Sequence, residues 1–289
     1  MLNPSNLLLQ TSSTPLINDG FTITAAEPWF KVKVQLIQQY LRSFVTHCAD
    51  KSDEIIVVDL FAGSGLYSLG YQRELFAGSC LGSLSDELPI SKWIFCERDP
   101  ESVKALKIRV NRYFKGKHVL IFDDAIDRLP EKLQYYIPVS KRGFRVSVLC
   151  ILDPFSIDIP FSLLDKLQSL GLSFIIPFTF SLNERHNYQF YLHEHREKLK
   201  RFLGEFTDLT RLDDVKSNLE FYKRVVRTLR NNLLMLGFNS SLSVQRLDSG
   251  LMELPIYYMG VFSKTLPARI IQREVEETLH NQFTLFDKV

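Results

Sequence analysis

The chain has 289 residues, of which 45% are hydrophobic and 24% are charged, and its formal net charge is +2. This composition is that of a globular protein, so general disorder and a fibrous chain are excluded, and the length permits one large α/β domain or two small ones. The small net charge argues against a uniformly basic surface for nucleic acid but leaves a local basic face open.

The beginning of the chain predicts an arm and then a domain. Residues 1–26 are rich in Ser, Thr, Asn and Pro and predict a flexible N-terminal arm, ahead of a single domain over 27–289. Apolar residues at helical spacing predict a helix over 29–45. The apolar run 54–61 then predicts a buried strand that ends in a glycine turn.

Strands and helices alternate after this turn, which predicts a mostly parallel sheet with helices on both faces. The expected elements are, in chain order, a helix over 66–75, a small-residue loop over 78–83, a strand over 92–96, a helix over 101–113, strands over 118–122 and 146–152, a helix over 161–170 and a strand over 173–180.

The last third of the chain follows a different pattern. Residues 183–237 show helical periodicity and are heavily charged, which predicts a helical insertion in the domain. Two strand-like runs, 240–247 and 256–264, flank a turn at 248–250 and predict an antiparallel C-terminal pair that closes the sheet.

The glycine turn, residues 59–65 (DLFAGSG), lies where open α/β sheets bind ligands, beyond the carboxyl end of a strand. Gly63 and Gly65 let the backbone turn tightly and let a ligand approach it, and Asp59 can hold the turn or a ligand's amino group. The glycine pair also fits an ordinary loop or a dinucleotide-binding turn, although Ser68 replaces the third small residue of the latter motif.

Acidic residues end four consecutive predicted strands. Glu97 follows the second of these strands, where a carboxylate can accept hydrogen bonds from both ribose hydroxyls of an adenosine. Asp124 follows the third and can accept from an adenine amino group, with Ala125 beside the ring, and Asp153 follows the fourth. Each residue alone also fits a helix cap or a turn, but four at one edge of a sheet favour a nucleoside site.

The order of these motifs resembles that of class I S-adenosylmethionine-dependent methyltransferases and, more closely, that of the three-Cys-motif partner family. The segments that carry the resemblance are WFKVK (29–33), DLFAGSG (59–65), Gly78–Ser79, FCE (95–97) with Asp99, DDA (123–125), LDPF (152–155) and YYMGVFSK (257–264). The resemblance implies a Rossmann-like class I methyltransferase fold, S-adenosylmethionine as the cofactor, Lys31 and Lys33 beside the cofactor cleft, and a separate three-cysteine protein as a partner.

The candidate cofactor and catalytic residues lie in these motifs. We assign cofactor binding to Asp59, Phe61, Ala62, Gly63, Gly65, Glu97, Asp124 and Ala125. Methyl transfer needs an acceptor held in line and a group that takes or orients its proton, for which Asp153 is the candidate. Phe155 can stack on a flipped base, as an aromatic residue does in methyltransferases that act on base amines. DPFS (153–156) lacks the second proline of their motif, so amine specificity stays open, and Asp153 also fits a helix cap.

A basic helix face in the insertion is a further candidate site. Lys223, Arg224, Arg227 and Arg230 recur at spacings of three and four, so they share one side of a helix. Such a face can contact the phosphates of a nucleic acid. It also fits a solvated surface, because acidic residues are interspersed in the same region.

Neither a metal site nor contact with a membrane is expected. His186, His193 and His195 lack the carboxylate or cysteine spacing that would complete a metal site. The start of the chain lacks the pattern of a signal peptide, and no segment approaches the roughly 20 apolar residues of a membrane span. The four scattered cysteines read as reduced thiols, so we expect a cytoplasmic protein.

Three functions are consistent with these patterns. The leading hypothesis is an S-adenosylmethionine-dependent methyltransferase that acts on a nucleic acid or a nucleotide-like substrate. The alternative is a non-catalytic protein of the same fold that serves as the partner of a three-cysteine protein. A dinucleotide-dependent oxidoreductase is the third, because glycine turns of this kind also occur in dinucleotide-binding folds.

Overall fold

The computed structural model describes residues 18–70, 74–154, 156–180 and 182–286. Its helices and strands are, in chain order, β1 (Thr24–Ala26), α1 (Pro28–Cys48), β2 (Glu54–Asp59), β3 (Leu66–Leu69), β4 (Glu74–Ala77), α2 (Ser79–Ser85), β5 (Lys92–Cys96), α3 (Pro100–Tyr113), β6 (Val119–Phe122), α4 (Leu129–Leu133), β7 (Val146–Ile151), α5 (Phe161–Ser169), β8 (Leu172–Pro177), α6 (Tyr188–His193), α7 (Arg196–Leu203), α8 (Asn218–Met235), β9 (Asn239–Arg246), β10 (Ile256–Ser263) and α9 (Ala268–Phe286).

A seven-stranded sheet forms the centre of the fold, in the order β6-β5-β2-β7-β8-β10-β9. The first five strands of that order are parallel, and β10 runs antiparallel to both β8 and β9. The predicted mostly parallel sheet with an antiparallel C-terminal pair is confirmed. Every residue of β8 is buried, as in a strand whose two faces are both covered.

Amphipathic helices cover this sheet. α1 begins at Pro28, whose fixed backbone suits the first helical position, and it buries Trp29, Lys33, Ile37 and Tyr40 along one stripe. α2 and α9 pack against α1, whereas α5, α6, α7 and α8 contact one another. Within the described ranges, no helix combines the length and the apolar character needed to cross a bilayer.

Two predictions for the segment after the glycine turn are wrong. The predicted helix over 66–75 is replaced by the strands β3 and β4, which lie on either side of the undescribed residues 71–73. The predicted loop over 78–83 forms most of α2. Gly65 and Gly70 have φ angles of 84° and 51°, so the backbone leaves the right-handed helical conformation just before residue 66 and again in the middle of the predicted helix.

Aromatic packing stabilises the three-stranded sheet that forms there. β3 pairs in parallel with β1 and antiparallel with β4. Tyr67 of β3 stacks against Phe76 of β4, with ring centroids 5.3 Å apart, and packs on Phe30 of α1 at 4.6 Å. Tertiary contacts of this kind override the local helical pattern on which the wrong prediction was based.

A buried arginine anchors the chain before α1. Arg109 of α3 donates from Nε and Nη2 to the two carboxylate oxygens of Asp19, at 2.9 and 2.8 Å. Its Nη1 donates to the carbonyl oxygens of Thr22 and Ser64, at 2.9 and 2.6 Å. The bond from Arg109 holds the pKa of Asp19 below its ordinary value.

Residues 1–17 of the predicted arm lie outside the described residues, and the domain boundaries stay predictions.

Arg109→Met removes the donors of a buried carboxylate and of two carbonyl groups. We expect the free energy of unfolding to fall by about 3–5 kcal/mol, because Asp19 is left as an unpaired buried charge. Lys104→Met, at an exposed position of the same helix, should change it by less than about 0.5 kcal/mol. Urea denaturation of both variants measures the difference, and equal effects would contradict the anchoring role of Arg109.

Candidate functional site

Strand register brings acidic residues to one edge of the main sheet. Asp59 of β2 lies opposite Phe95 of β5 and Ile151 of β7. Glu97 and Asp153 each come two residues after those partners in the chain, at the carboxyl ends of their strands. The three residues therefore share the edge where open α/β sheets bind ligands.

The glycine turn has a backbone conformation that favours glycine. Gly63 and Gly65 have φ angles of 60° and 84°. A Cβ atom at Gly65 would lie 2.7 Å from Cγ of Leu81 in α2, so close packing also requires glycine there. The N–H of Ala62 donates to the carbonyl oxygen of Cys96 at 3.0 Å and ties the turn to β5.

Asp59 is fully buried at the start of this turn. Its Oδ1 accepts the N–H of Phe61 at 3.1 Å, and its Oδ2 accepts the hydroxyl of Ser79 at 2.6 Å. Burial raises the pKa of Asp59 to about 6; the two hydrogen bonds oppose this shift, and the carboxylates of Asp153 and Glu97 add to it. Asp59 therefore holds the turn to the start of α2, within electrostatic reach of two other acidic residues.

Glu97 joins the end of β5 to the glycine turn. Its Oε2 accepts the N–H of Gly63 at 2.8 Å, and its Oε1 accepts the N–H groups of Arg98 and Asp99, both at 2.8 Å. An ionised carboxylate offers about four lone-pair sites. One site on the half-buried Glu97 is therefore left for a ligand hydroxyl.

Asp124 follows β6, the strand that pairs with β5 at the edge of the sheet. Its carboxylate forms an ion pair with Lys132 of α4, and Ala125 follows it at the start of a short 3-10 turn. Burial raises the pKa of the Cys96 thiol, and the carboxylates of Asp59 and Asp124 act in the same direction. Because Phe122 lies opposite Cys96 in the register, Asp124 follows its strand at the same edge of the sheet as Glu97, and its charge is compensated by a lysine.

A buried ion pair connects Asp153 to α1. Lys33 is fully buried, and its Nζ lies 2.8 Å from Oδ1 and 2.6 Å from Oδ2 of Asp153. The same ammonium lies 3.9 Å from the ring centroid of Phe30 and 5.5 Å from that of Trp29. Burial lowers the pKa of Lys33, and the charge of Asp153 opposes this shift. Each charge of the pair thus compensates for the burial of the other.

Tyr67 of β3 reaches the same place. Its hydroxyl oxygen lies 3.0 Å from the position that a Cβ atom would take at Gly63, and its ring lies 2.6 Å from the corresponding position at Gly78. Both glycines therefore make room for this side chain. Burial raises the pKa of Tyr67 well above its usual range, and the Cys80 thiol and the three carboxylates of the site add to the shift.

The four basic residues predicted to bind phosphate lie on α8, and none of them takes part in the contacts described above. They are Lys223, Arg224, Arg227 and Arg230. Arg224 pairs with Asp214 and Glu220, and Nε of Arg230 donates to the hydroxyl of Ser240 at 2.9 Å. The other two are exposed to solvent. Two of the four predicted phosphate-binding side chains are therefore already engaged within the chain.

Two further predictions have no structural outcome. Phe155, the second predicted catalytic residue, lies outside the described residues. Among the residues that the structure does describe, no group of three or more His, Cys, Asp and Glu side chains is arranged to hold a metal ion. His195 instead stacks on Phe190, with ring centroids 4.3 Å apart.

Sequence patterns did not assign Tyr67 and Ser79, and they missed the partner of Lys33. Tyr67 fell within the wrongly predicted helix, and Ser79 within the wrongly predicted loop, so neither was placed near the turn. Lys33 carried a usable signal, because it is a charged residue on the apolar stripe of α1. A lysine at such a position needs a buried acidic partner.

Asp59→Asn tests the burial of the acidic group at the turn. The ordinary pKa of the carboxyl is 3.8 and its value in the folded chain is about 6, so the folded state keeps a proton that the unfolded chain releases. Stability must then fall as the pH rises from about 4 to about 6. We expect the wild type to lose about 2 kcal/mol relative to Asp59→Asn over this range, out of roughly 3 kcal/mol between a pH well below 4 and a pH well above 6. Urea denaturation at several pH values measures it, and a pH-independent difference would contradict the shift.

No family model and no curated protein matches the sequence. Several solved structures have a similar fold. Protein LPL1258 from Legionella pneumophila is 10% identical, with a TM-score of 0.50, over 84% of this chain and 90% of that protein. An rRNA methylase from Streptococcus thermophilus is 11% identical, with a TM-score of 0.34, over 77% of this chain and 95% of that one. The O-methyltransferase TomG from Streptomyces achromogenes, in complex with S-adenosylmethionine, is 12% identical, with a TM-score of 0.41, over 79% of each chain.

At these identities the similarity concerns the fold alone. In the described part of this chain the seven-stranded sheet is parallel except for β10, and LPL1258 has a similar fold over most of both chains. The predicted fold class is confirmed at the level of the fold: the chain has a Rossmann-like α/β fold with a mostly parallel sheet.

Proposed function

We propose that this chain is an S-adenosylmethionine-dependent methyltransferase. The observation that carries the proposal is the group of three carboxylates, Asp59, Glu97 and Asp153, at adjacent strand ends around a two-glycine turn. Nucleotides and related ligands bind at such an edge of an open α/β sheet. A ligand that carries a ribose and a positively charged sulfur suits a site rich in acidic side chains.

The turn and the strand ends suit the adenosine part of this cofactor. Gly63 and Gly65 allow the tight bend at the end of β2, and the space that their Cβ atoms would take is occupied by the side chains of Tyr67 and Leu81. Glu97 has an acceptor position left for a ribose hydroxyl, and Asp124 with Ala125 would bind the adenine. When bound, S-adenosylmethionine supplies an electrophilic methyl group on its sulfur.

Asp153 is the proposed catalytic residue. Its carboxylate would accept a hydrogen bond from the N–H or O–H of the methyl acceptor and so orient the attacking lone pair. Lys33 is a positioning residue, because its ammonium contacts both oxygens of Asp153 and offsets the cost of burying that charge. Phe155 stays a predicted stacking partner for the acceptor ring.

The acceptor that we propose is a nucleic acid or a nucleotide-like compound. Support comes from α8, where Lys223 and Arg227 are exposed and can neutralise phosphates. Arg224 and Arg230 would contribute less, because groups of the chain itself already bind them. A cytoplasmic location belongs to the same proposal, and four buried, unpaired cysteines are in keeping with it.

A second candidate function is that of a non-catalytic partner of a three-cysteine protein. The Lys33–Asp153 pair favours it, because an ammonium that already contacts both carboxylate oxygens competes with a methyl acceptor. Such a chain would bind the cofactor without transferring its methyl group. Transfer from labelled S-adenosylmethionine to RNA, DNA or protein, with and without co-purified partners, separates the two functions.

Titration calorimetry with S-adenosylhomocysteine tests the proposed cofactor site. We expect saturable binding by the wild type and a loss of about tenfold to a hundredfold in affinity for Glu97→Gln, because a hydrogen bond to a charged group contributes about 1.5–3 kcal/mol. Asp153→Asn should keep most of the affinity and lose methyl transfer.

Glu101→Gln is the matched control for this titration, since Glu101 is exposed in the first turn of α3, near Glu97 in the chain. It should bind like the wild type. A folded wild-type sample that gives no binding heat, and no thermal stabilisation with either S-adenosylmethionine or S-adenosylhomocysteine, would overturn the proposed function.

Lys33→Met tests the ion pair on which the position of Asp153 depends. We expect the free energy of unfolding to fall by about 3–5 kcal/mol, because a buried carboxylate loses its compensating charge. Lys31→Met is the control: it breaks only the exposed pair with Glu74 and should cost about 0–1 kcal/mol. The double variant Lys33→Met/Asp153→Leu should recover much of the loss in urea denaturation. Equal losses of stability in Lys33→Met and Lys31→Met would show that the pair of Lys33 and Asp153 is not buried as described.

A further inference from the structure

A loop with exposed apolar and basic side chains joins α4 to β7. This α4–β7 loop covers residues 134–145. It enters the main sheet at Val146, which lies opposite Glu54, the first residue of β2. The carboxylates of the candidate site lie at the other ends of these strands. The loop is therefore at the opposite edge of the sheet, roughly 15–20 Å away along strands of six residues.

Backbone hydrogen bonds give this loop a defined shape. Lys141 and Phe144 exchange two of them, at 2.8 and 3.0 Å, and so form a tight turn just before β7. The backbone N–H of Arg145 donates to the carboxylate of Asp53 at 2.7 Å, which joins the turn to the residue before β2. The side chains of the turn are therefore presented on a fixed backbone.

Positive charge is concentrated on the α4–β7 loop. The sequence has no aspartate or glutamate between residues 132 and 152. Lys141, Arg142 and Arg145 fall in this stretch, and all three are exposed. Within the described ranges, none of these three side chains takes part in an ion pair. Lys115, exposed in the segment that leads into β6, adds charge at the same edge, because β6 runs parallel to β5.

Exposed apolar side chains accompany these cations. Tyr135 is 81% exposed and Val139 is 84% exposed. Nζ of Lys92, at the start of β5, donates to the carbonyl oxygen of Tyr136 at 2.8 Å, so the backbone beside the exposed ring is held in place. Single-stranded nucleic acids bind surfaces that combine cations for the phosphates with aromatic rings on which bases stack. A duplex keeps its bases stacked inside, and an acidic peptide supplies charge without a row of flat rings.

We propose that the α4–β7 loop binds single-stranded nucleic acid. A base stacks on Tyr135, and the neighbouring phosphates contact Lys141, Arg142 and Arg145. Binding at this loop goes beyond the proposed methyl transfer and does not depend on it, because the loop lies at the edge of the sheet opposite to Asp153. The small net charge of the chain is consistent with a contact that is confined to one local surface.

Fluorescence anisotropy with a labelled oligouridine of about 20 nucleotides, without any cofactor, tests the loop. Lys141→Gln/Arg142→Gln removes two exposed cations, and we expect it to weaken binding about tenfold. Loss of two phosphate contacts should also reduce the slope of log affinity against log salt by about 1.4. Arg269→Gln/Arg273→Gln is the control, because it removes the same charge from exposed positions of α9, which packs on α1 and β9. It should change the affinity by less than about twofold.

Tyr135→Ser separates stacking from charge at an exposed position, so its folding is not at risk. It should weaken binding of the oligouridine about tenfold, because a stacked base is lost, and it should leave the salt slope unchanged. Val139→Ser, at an equally exposed position of the same loop that carries no ring, should bind like the wild type. The duplex of the oligouridine with its complement should bind more weakly than the single strand.

The proposal is overturned if the two double variants lose affinity equally, if Tyr135→Ser binds like the wild type, or if the duplex binds as tightly as the single strand. Binding to phosphatidylserine vesicles, with no saturable response to the oligouridine, also overturns it and identifies a membrane surface instead. These outcomes are distinguishable from failure of the proposed function. A sample that binds the oligouridine but no S-adenosylhomocysteine overturns the methyltransferase proposal alone, and the reverse result overturns the role of the loop alone.

Discussion

Parallel pairing of β2 with β5 and β7 determines where the candidate site lies. Because the register sets Asp59 opposite Phe95 and Ile151, the residues that follow these partners converge on one edge of the sheet. Helices cover the faces of the sheet, so side chains at this edge are the ones placed to meet a ligand. Carboxylates grouped in this way repel one another, and the surrounding groups have to compensate for that repulsion.

Each acidic side chain of the edge is compensated in its own way. Asp153 has a buried ammonium from Lys33, and Asp124 has the more exposed ammonium of Lys132. Glu97 accepts three backbone N–H groups, which carry no net charge. The fourth carboxylate, at the end of β2, accepts hydrogen bonds only from uncharged groups, and burial raises its pKa to about 6. Compensation is therefore strongest at Asp153, the side chain closest to the proposed chemistry.

The ammonium of Lys33 also joins the acidic edge to a cluster of aromatic side chains. The ammonium of Lys33 is attracted to aromatic faces as well as to Asp153, and Phe30 provides such a face. Tyr67 then packs on Phe30 and extends this aromatic cluster to the glycine turn. Buried aromatic packing thereby lies directly beside the charged pair of Lys33 and Asp153.

Periodicity and glycine placement were enough to predict the central sheet and its acidic edge, because buried parallel strands are continuous apolar runs. The β3–β4 strands were missed since each has only four residues and depends on Tyr67 packing against Phe30 and Phe76. The Lys33–Asp153 pair joins residues 120 positions apart and exists only in the assembled fold. Local pattern therefore located the acidic strand ends, whereas long-range contacts decided how their charges are compensated.

A crystal structure of the chain grown with S-adenosylhomocysteine tests the central claim most directly. The account predicts the ligand over the glycine turn, with one ribose hydroxyl on Glu97 and its sulfur facing the side of the edge where Asp153 lies. A ligand bound on another surface, with the turn and the carboxylates left untouched, would contradict it.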